Sequence, residues 1–255
     1  MRNFADIIKS IMSNKKKSLE AKRVILMGAS SGIGLATAKA AADEGANVVI
    51  VSSNQLRIDK ALTELPAGSE GYAVDLSKEE NIKNFFNEVG KFDHLVFSAG
   101  ENLTLSNVSE TNIEQARDFF TLRFWAPFAA IKYGSASINE GGSISLTSGT
   151  ASARPGAGWS VASAICGAME GFVRAMAVEL APIRVNCVVP GVINTPLWDS
   201  MPESDREELY QYVSNSVLLK RIGEPDDVAE GFIYLMNQKH GTGQSLLIDG
   251  GTLLV

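Results

Sequence analysis

The chain has 255 residues, of which 45% are hydrophobic and 20% charged, with a formal net charge of −6. That suits one globular domain with a sizeable core, and the acidic balance argues against a nucleic-acid partner, whose phosphates demand lysine and arginine. Two cysteines and two histidines form neither a disulfide framework nor a spaced ligand set, so no metal site is expected.

Residues 1–18 read as an N-terminal amphipathic extension, because Phe4, Ile7, Ile8, Ile11 and Met12 recur at helical spacing. A frayed helix or an arm packed on a neighbouring subunit is the favoured reading, and attachment to a membrane surface through Lys15, Lys16 and Lys17 the weaker one. Asp6 and Lys9 interrupt the apolar run of a signal peptide, and no apolar run is long enough to span a bilayer. The expected location is cytoplasmic, with free thiols.

Residues 19–255 read as one α/β domain. Apolar runs at 24–27, 48–51, 71–74, 94–97, 143–147, 184–189 and 245–248 have the character of buried strands. Helical patterns cover 32–44, 55–65, 78–90, 111–133, 160–181 and 225–237. Their strict alternation predicts right-handed crossovers and a doubly wound, seven-stranded parallel sheet with helices on both faces, a Rossmann-type fold. Residues 194–220 interrupt the pattern as an insert on the substrate side.

The first strand runs into Gly28-Ala29-Ser30-Ser31-Gly32-Ile33-Gly34 at the mouth of a helix. Glycines here permit sharp backbone angles and close approach of a pyrophosphate, and the helix N-terminus supplies N–H groups for that anion. After the second strand the chain reads Ser52-Ser53-Asn54-Gln55-Leu56-Arg57, with no acid before Asp59. An NAD site would offer an acid to the ribose hydroxyls, so this segment favours NADPH over NADH. Ser52, Ser53, Asn54 and Arg57 are the candidate phosphate contacts.

With these motifs in place, the chain from Leu19 to Leu254 resembles the short-chain dehydrogenase/reductase family. The resemblance implies that Gly28, Ser30, Ser31, Gly32, Ile33 and Gly34 form the nucleotide turn. It implies that Asp75 and Leu76 meet the adenine, and carries over Ala99 and Gly100 of "FSAG". Pro190, Gly191, Val192 and Thr195 of "PGVINTPL" would lie along the nicotinamide. It further implies an oxidoreductase acting on a small-molecule carbonyl substrate and assembling as a homodimer or homotetramer.

The catalytic set departs from the family. There a serine and a tyrosine hold the substrate oxygen, a lysine four residues on lowers the tyrosine's pKa, and an asparagine on the preceding helix anchors a relay water. Here Ala162 stands at the tyrosine, Cys166 at the lysine and Arg123 at the asparagine; Ser148 is retained. A positioned general acid contributes about 10²–10⁴-fold to rate, and Ala162 has no proton to give.

Arg123 is the first candidate replacement, stabilising an oxyanion or gripping a substrate carboxylate. Pairing with Asp118 or Glu101 is its structural alternative. Ser148 either hydrogen-bonds a substrate oxygen or caps the next turn. Arg154 and Trp159 are candidates to line the pocket, and Tyr210 and Tyr212 of the insert to supply a proton. Cys166 reads as a packed thiol before a nucleophile, and His94, opening its strand, is expected far from the site. Two functions stay open: NADPH-linked carbonyl reduction with a non-standard proton donor, or a catalytically inactive NADPH-binding sensor or oligomer partner. A purely structural paralogue is disfavoured by the intact glycine turn.

Overall fold

The computed structural model describes residues 17–100, 102 and 105–255, so the expected extension over 1–18 lies almost wholly outside the described residues. The strands are β1 (Arg23–Met27), β2 (Asn47–Ser52), β3 (Glu70–Ala73), β4 (Phe92–Phe97), β5 (Ile138–Thr147), β6 (Arg184–Pro190) and β7 (Ser245–Ile248). They form one parallel sheet in the order β3-β2-β1-β4-β5-β6-β7. The connecting helices include α1 (Gly32–Asp43), α2 (Gln55–Leu62) and α3 (Glu79–Glu88). The seven-stranded doubly wound sheet is the one the alternation predicts.

Side chains alternate across each strand, so one strand feeds two cores. Ile25, Met27, Leu95 and Phe97 point into one layer, and Val24, Leu26 and Val96 into the other. Alanines at 36, 38, 41 and 42 let α1 sit close on the second layer. The outer strands β3 and β7 are only partly covered, against the expectation of burial, because an edge strand has a neighbour on one side alone.

The predicted helix over 111–133 is divided. It runs as α4 (Ile113–Phe120), a π-helical turn (Thr121–Trp125) and α5 (Ala126–Gly134). A π turn inserts an extra residue and re-aims the side chains it carries, which a steady 3.6-residue period does not reveal. Next comes α6 (Ser160–Glu179), long and apolar enough to cross a membrane; here its Met169, Phe172, Val173 and Ala177 pack in the first layer. The insert folds into a short 3₁₀ turn (Pro196–Trp198) and α7 (Glu203–Ser216), and α8 (Pro225–Asn237) closes the second face.

Beneath α8, His94 is 3% exposed and its Nδ1 lies 2.8 Å from Ser143 Oγ. Burial first, and the nearby Arg184 charge second, push its pKa from 6.5 down to about 4. Between those values the unfolded chain binds the proton and the folded chain does not. Stability should therefore fall as pH drops from about 6.5 to about 4, by up to roughly 3 kcal/mol. Urea unfolding across that window checks this, and His94→Asn should flatten the dependence.

Candidate functional site

The strand order reverses between β1 and β4, so their carboxyl ends part and leave a crevice, the usual ligand position in open α/β sheets. A cleft of ≈ 390 Å³ occupies it. Gly28 turns the chain there at φ +92°, and a Cβ on it would fall inside the Ala99 backbone. Gly34 is pressed as closely on the Gly28 carbonyl, with Ser98 Oγ 2.7 Å from where its Cβ would stand. Only bare backbone fits this cradle.

Ser31 precedes α1 in extended conformation, and among the described residues its side chain makes no capping bond and no acid stands in the first turn. The first N–H groups and the positive end of the helix dipole thus remain for an anion. Ser30, Ser31, Gly32 and Ile33 line the cleft beside them. The residues present fit a dinucleotide's pyrophosphate.

At the end of β2, Ser52 Oγ is engaged with Ser30 Oγ at 2.9 Å. Ser53 and Arg57 line the cleft. Asn54 does not: its Oδ1 accepts the Arg57 N–H at 3.0 Å and caps α2, a competing use of an Asn at a helix start. Asp75, Leu76, Ala99, Gly100, Pro190, Gly191, Val192 and Thr195 all border the cleft. Hydrogen bonds from the Ser77 hydroxyl and N–H hold the Asp75 carboxyl below its usual range.

The other half of the cleft gathers Arg123, Ser148, Trp159, Ala162 and Cys166. The π turn carries Arg123, whose guanidinium lies 2.8–2.9 Å from where a Gly100 Cβ would stand and 4.6 Å from the Phe119 ring centroid. Phe119 and Gly100 thus shape the slot for this charge. Burial pushes the Cys166 thiol up, with Ser148 and Arg123 pulling the other way, so the thiol is poorly suited to nucleophilic attack.

Several sequence candidates lie elsewhere. Arg154 turns from the cleft to bond the Thr252 carbonyl. Tyr212 is 71% exposed and, like Tyr210, does not line the cleft; burial pushes the Tyr210 hydroxyl up. His94 is likewise outside it. Sequence reasoning missed Ser152 and Glu170, which bond to each other at 2.5 Å behind Ser148. The signal was present, since Glu170 stands four residues after Cys166 on the same helix face.

A family model described as enoyl-(acyl carrier protein) reductase matches residues 28–252. The short-chain dehydrogenase/reductase ATR9 of Stachybotrys chlorohalonatus is 35% identical over 252 residues, covering 93% of this chain and 99% of that one. The short-chain dehydrogenase/reductase fsr5 of Gibberella fujikuroi is 32% identical over 254 residues, covering 92% and 96%. Among solved structures, a small-chain dehydrogenase in complex with NADPH shares 31% identity at a TM-score of 0.83, covering 92% of this chain and 100% of that one. The MalC Reductase/Diels-Alderase from Malbranchea aurantiaca shares 32% at 0.86, covering 94% and 99%.

The cradle can be probed directly. Gly28→Ala must either displace Ala99 or abandon φ +92°, whereas Gly68, at φ +95°, meets nothing within 4 Å among the described residues. Gly68→Ala should cost only the backbone strain, about 1–3 kcal/mol. Gly28→Ala should cost clearly more, read as a larger drop in the urea midpoint.

Proposed function

The chain belongs to the short-chain dehydrogenase/reductase family, and from that premise we propose an NADPH-linked oxidoreductase that reduces a small carbonyl compound without the family's Tyr–Lys pair. The observation that carries this reading is the uncapped, acid-free N-terminus of α1 behind a glycine cradle that admits only backbone. A chain with no use for a pyrophosphate would have no reason to keep a helix end in that state.

In this reading Gly28, Ser30, Ser31, Gly32, Ile33 and Gly34 hold the pyrophosphate, and Ser53 and Arg57 the ribose phosphate. Asp75 and Leu76 border the adenine, Ala99 and Gly100 floor the cleft, and Pro190, Gly191, Val192 and Thr195 orient the nicotinamide. The bound cofactor supplies a hydride. Arg123 faces the developing oxyanion with a fixed positive charge, and its donors act where Ala162 has none. Asn54 positions α2 and so carries Arg57 to the phosphate. The cytoplasmic location and homo-oligomeric state belong to the same proposal; both cysteines are free thiols, and Trp125 at the end of the π turn and Phe128 on α5 leave exposed apolar surface for a second copy.

One observation favours the second reading, a non-catalytic NADPH sensor or oligomer partner. Ala162 and Cys166 border the cleft where a proton donor and a fixed cation are absent from the helix.

Calorimetric titration of nucleotide-free protein tests the first step. NADPH should bind at least about ten-fold more tightly than NADH, and Arg57→Ala should narrow that gap, since one charge-assisted hydrogen bond is worth about that factor. Binding of neither nucleotide would overturn both readings. Ala162→Tyr with Cys166→Lys then separates them: a gain of carbonyl reductase activity on generic substrates marks a decayed site, and loss of native turnover a rebuilt one.

A further inference from the structure

Val192 and Ile193 form a thin wall. The cleft lies on one side of it, and on the other is a second cavity of ≈ 400 Å³, which both residues line together with Val213 and Val217. A wall between two cavities lacks neighbours on both sides, so packing alone does not fix where its main chain runs. Hydrogen bonds do that. Gly191 N–H donates to the Ile248 carbonyl at 2.9 Å, and Asn194 N–H to the Gly223 carbonyl at 2.8 Å. These tie the segment to β7 and to the loop before α8.

A third bond comes from the insert itself. Trp198, 4% exposed at the end of the 3₁₀ turn, donates its indole N–H to the Ile193 carbonyl at 3.0 Å. This closes the short loop from Ile193 to Trp198. Within it Thr195 and Pro196 lie across the glycine turn, 3.5 and 3.6 Å from where a Gly32 Cβ would stand. The Thr195 hydroxyl reaches the same Ile193 carbonyl, at 3.4 Å. An oxygen with two lone pairs accepts both donors, but the shorter indole bond is the stronger and the longer hydroxyl bond is readily given up. Thr195 also borders the cleft, where a ligand offers its hydroxyl another acceptor.

We infer that Trp198 is a positioning residue for the nicotinamide end of the cofactor: its indole N–H satisfies the Ile193 carbonyl and leaves the Thr195 hydroxyl to donate into the cleft. The inference rests on the cofactor reading proposed above, which sets Thr195 beside the nicotinamide, where the acceptor is the carboxamide oxygen. Without the indole N–H, the Thr195 hydroxyl would be the one donor left to the Ile193 carbonyl among the described residues. A buried carbonyl without a donor is costly, so the hydroxyl would be drawn onto it. The Thr195 proton would then be committed to the main chain. The loop that lies across Gly32 would also lose the bond that closes it.

Two nucleotides separate this role from general support of the fold. NADP⁺ has the nicotinamide, whereas adenosine 2′,5′-bisphosphate has the adenine and the ribose phosphate without it. Each is titrated calorimetrically into the wild type, Trp198→Phe, Thr195→Val and the double variant. Trp198→Phe should weaken NADP⁺ binding by about 3- to 10-fold, the worth of one hydrogen bond, and leave the bisphosphate affinity as it was. Thr195→Val should do the same. The double variant should bind NADP⁺ no more weakly than Thr195→Val alone, because both changes remove the same bond to the ligand. Benzothienylalanine in place of Trp198 keeps the bicyclic ring and lacks the N–H; it should match Trp198→Phe, and it decides the matter if that variant does not fold. Unchanged NADP⁺ affinity without the N–H, an equal loss for both nucleotides, or additive losses in the double variant would overturn the inference. So would a wild type that binds NADP⁺ no more tightly than the bisphosphate. If the wild type binds neither nucleotide, the cofactor reading falls and this inference with it, whereas the other adverse results overturn this inference alone.

Discussion

The contact between Gly28 and Ala99 is the constraint on which the cleft depends. β1 and β4 run side by side to Met27 and Phe97, where Ser98 N–H still bonds the Met27 carbonyl at 2.8 Å. One residue later the two chains must separate, one into α1 and the other toward α4. Gly28 makes that turn at positive φ while touching the Ala99 main chain, and its N–H holds β2 through the Val51 carbonyl. Any side chain would wedge the strands apart and lift the N-terminus of α1 away from the crevice it faces.

The opposite half of the cleft follows a different rule. α6 is held by Met169, Phe172, Val173 and Ala177, which point into the core, whereas residues 162 and 166 face the cleft. The helix keeps its place whatever stands at those two positions, because the core supplies its packing. What stands at those two positions can therefore change the chemistry of the cleft without changing the fold. On the far wall the π turn aims Arg123 over Gly100.

A small polar network stands behind this half of the cleft. Ser152 Oγ donates to Glu170 Oε1 at 2.5 Å, and Ser148 Oγ lies 3.4 Å from the same oxygen and 3.1 Å from the Cys166 carbonyl. These bonds tie the end of β5 to α6, which a carboxylate with several donors does well.

Much of the fold was legible in the chain's own pattern. Buried strands of a parallel sheet must be apolar on both faces, so runs such as "VILM" and "VVIV" announce themselves, and the glycine turn falls between strand and helix where local sterics require it. The edge strands were overread because burial depends on neighbours that no local run contains. The capping role of Asn54 was not legible, since a cap and a phosphate contact ask for the same residue type and only the placed helix shows its Oδ1 bonded to the Arg57 N–H. Glu170, Ser152 and the π turn at Arg123 escaped for a related reason. What the sequence alone determined is whatever local sterics and hydrophobic period dictate: element order and the glycine cradle. The direction in which Arg123, Ser148 and Glu170 point was decided by packing between elements far apart in the chain, since a side chain's partners are set by tertiary distance and not by spacing.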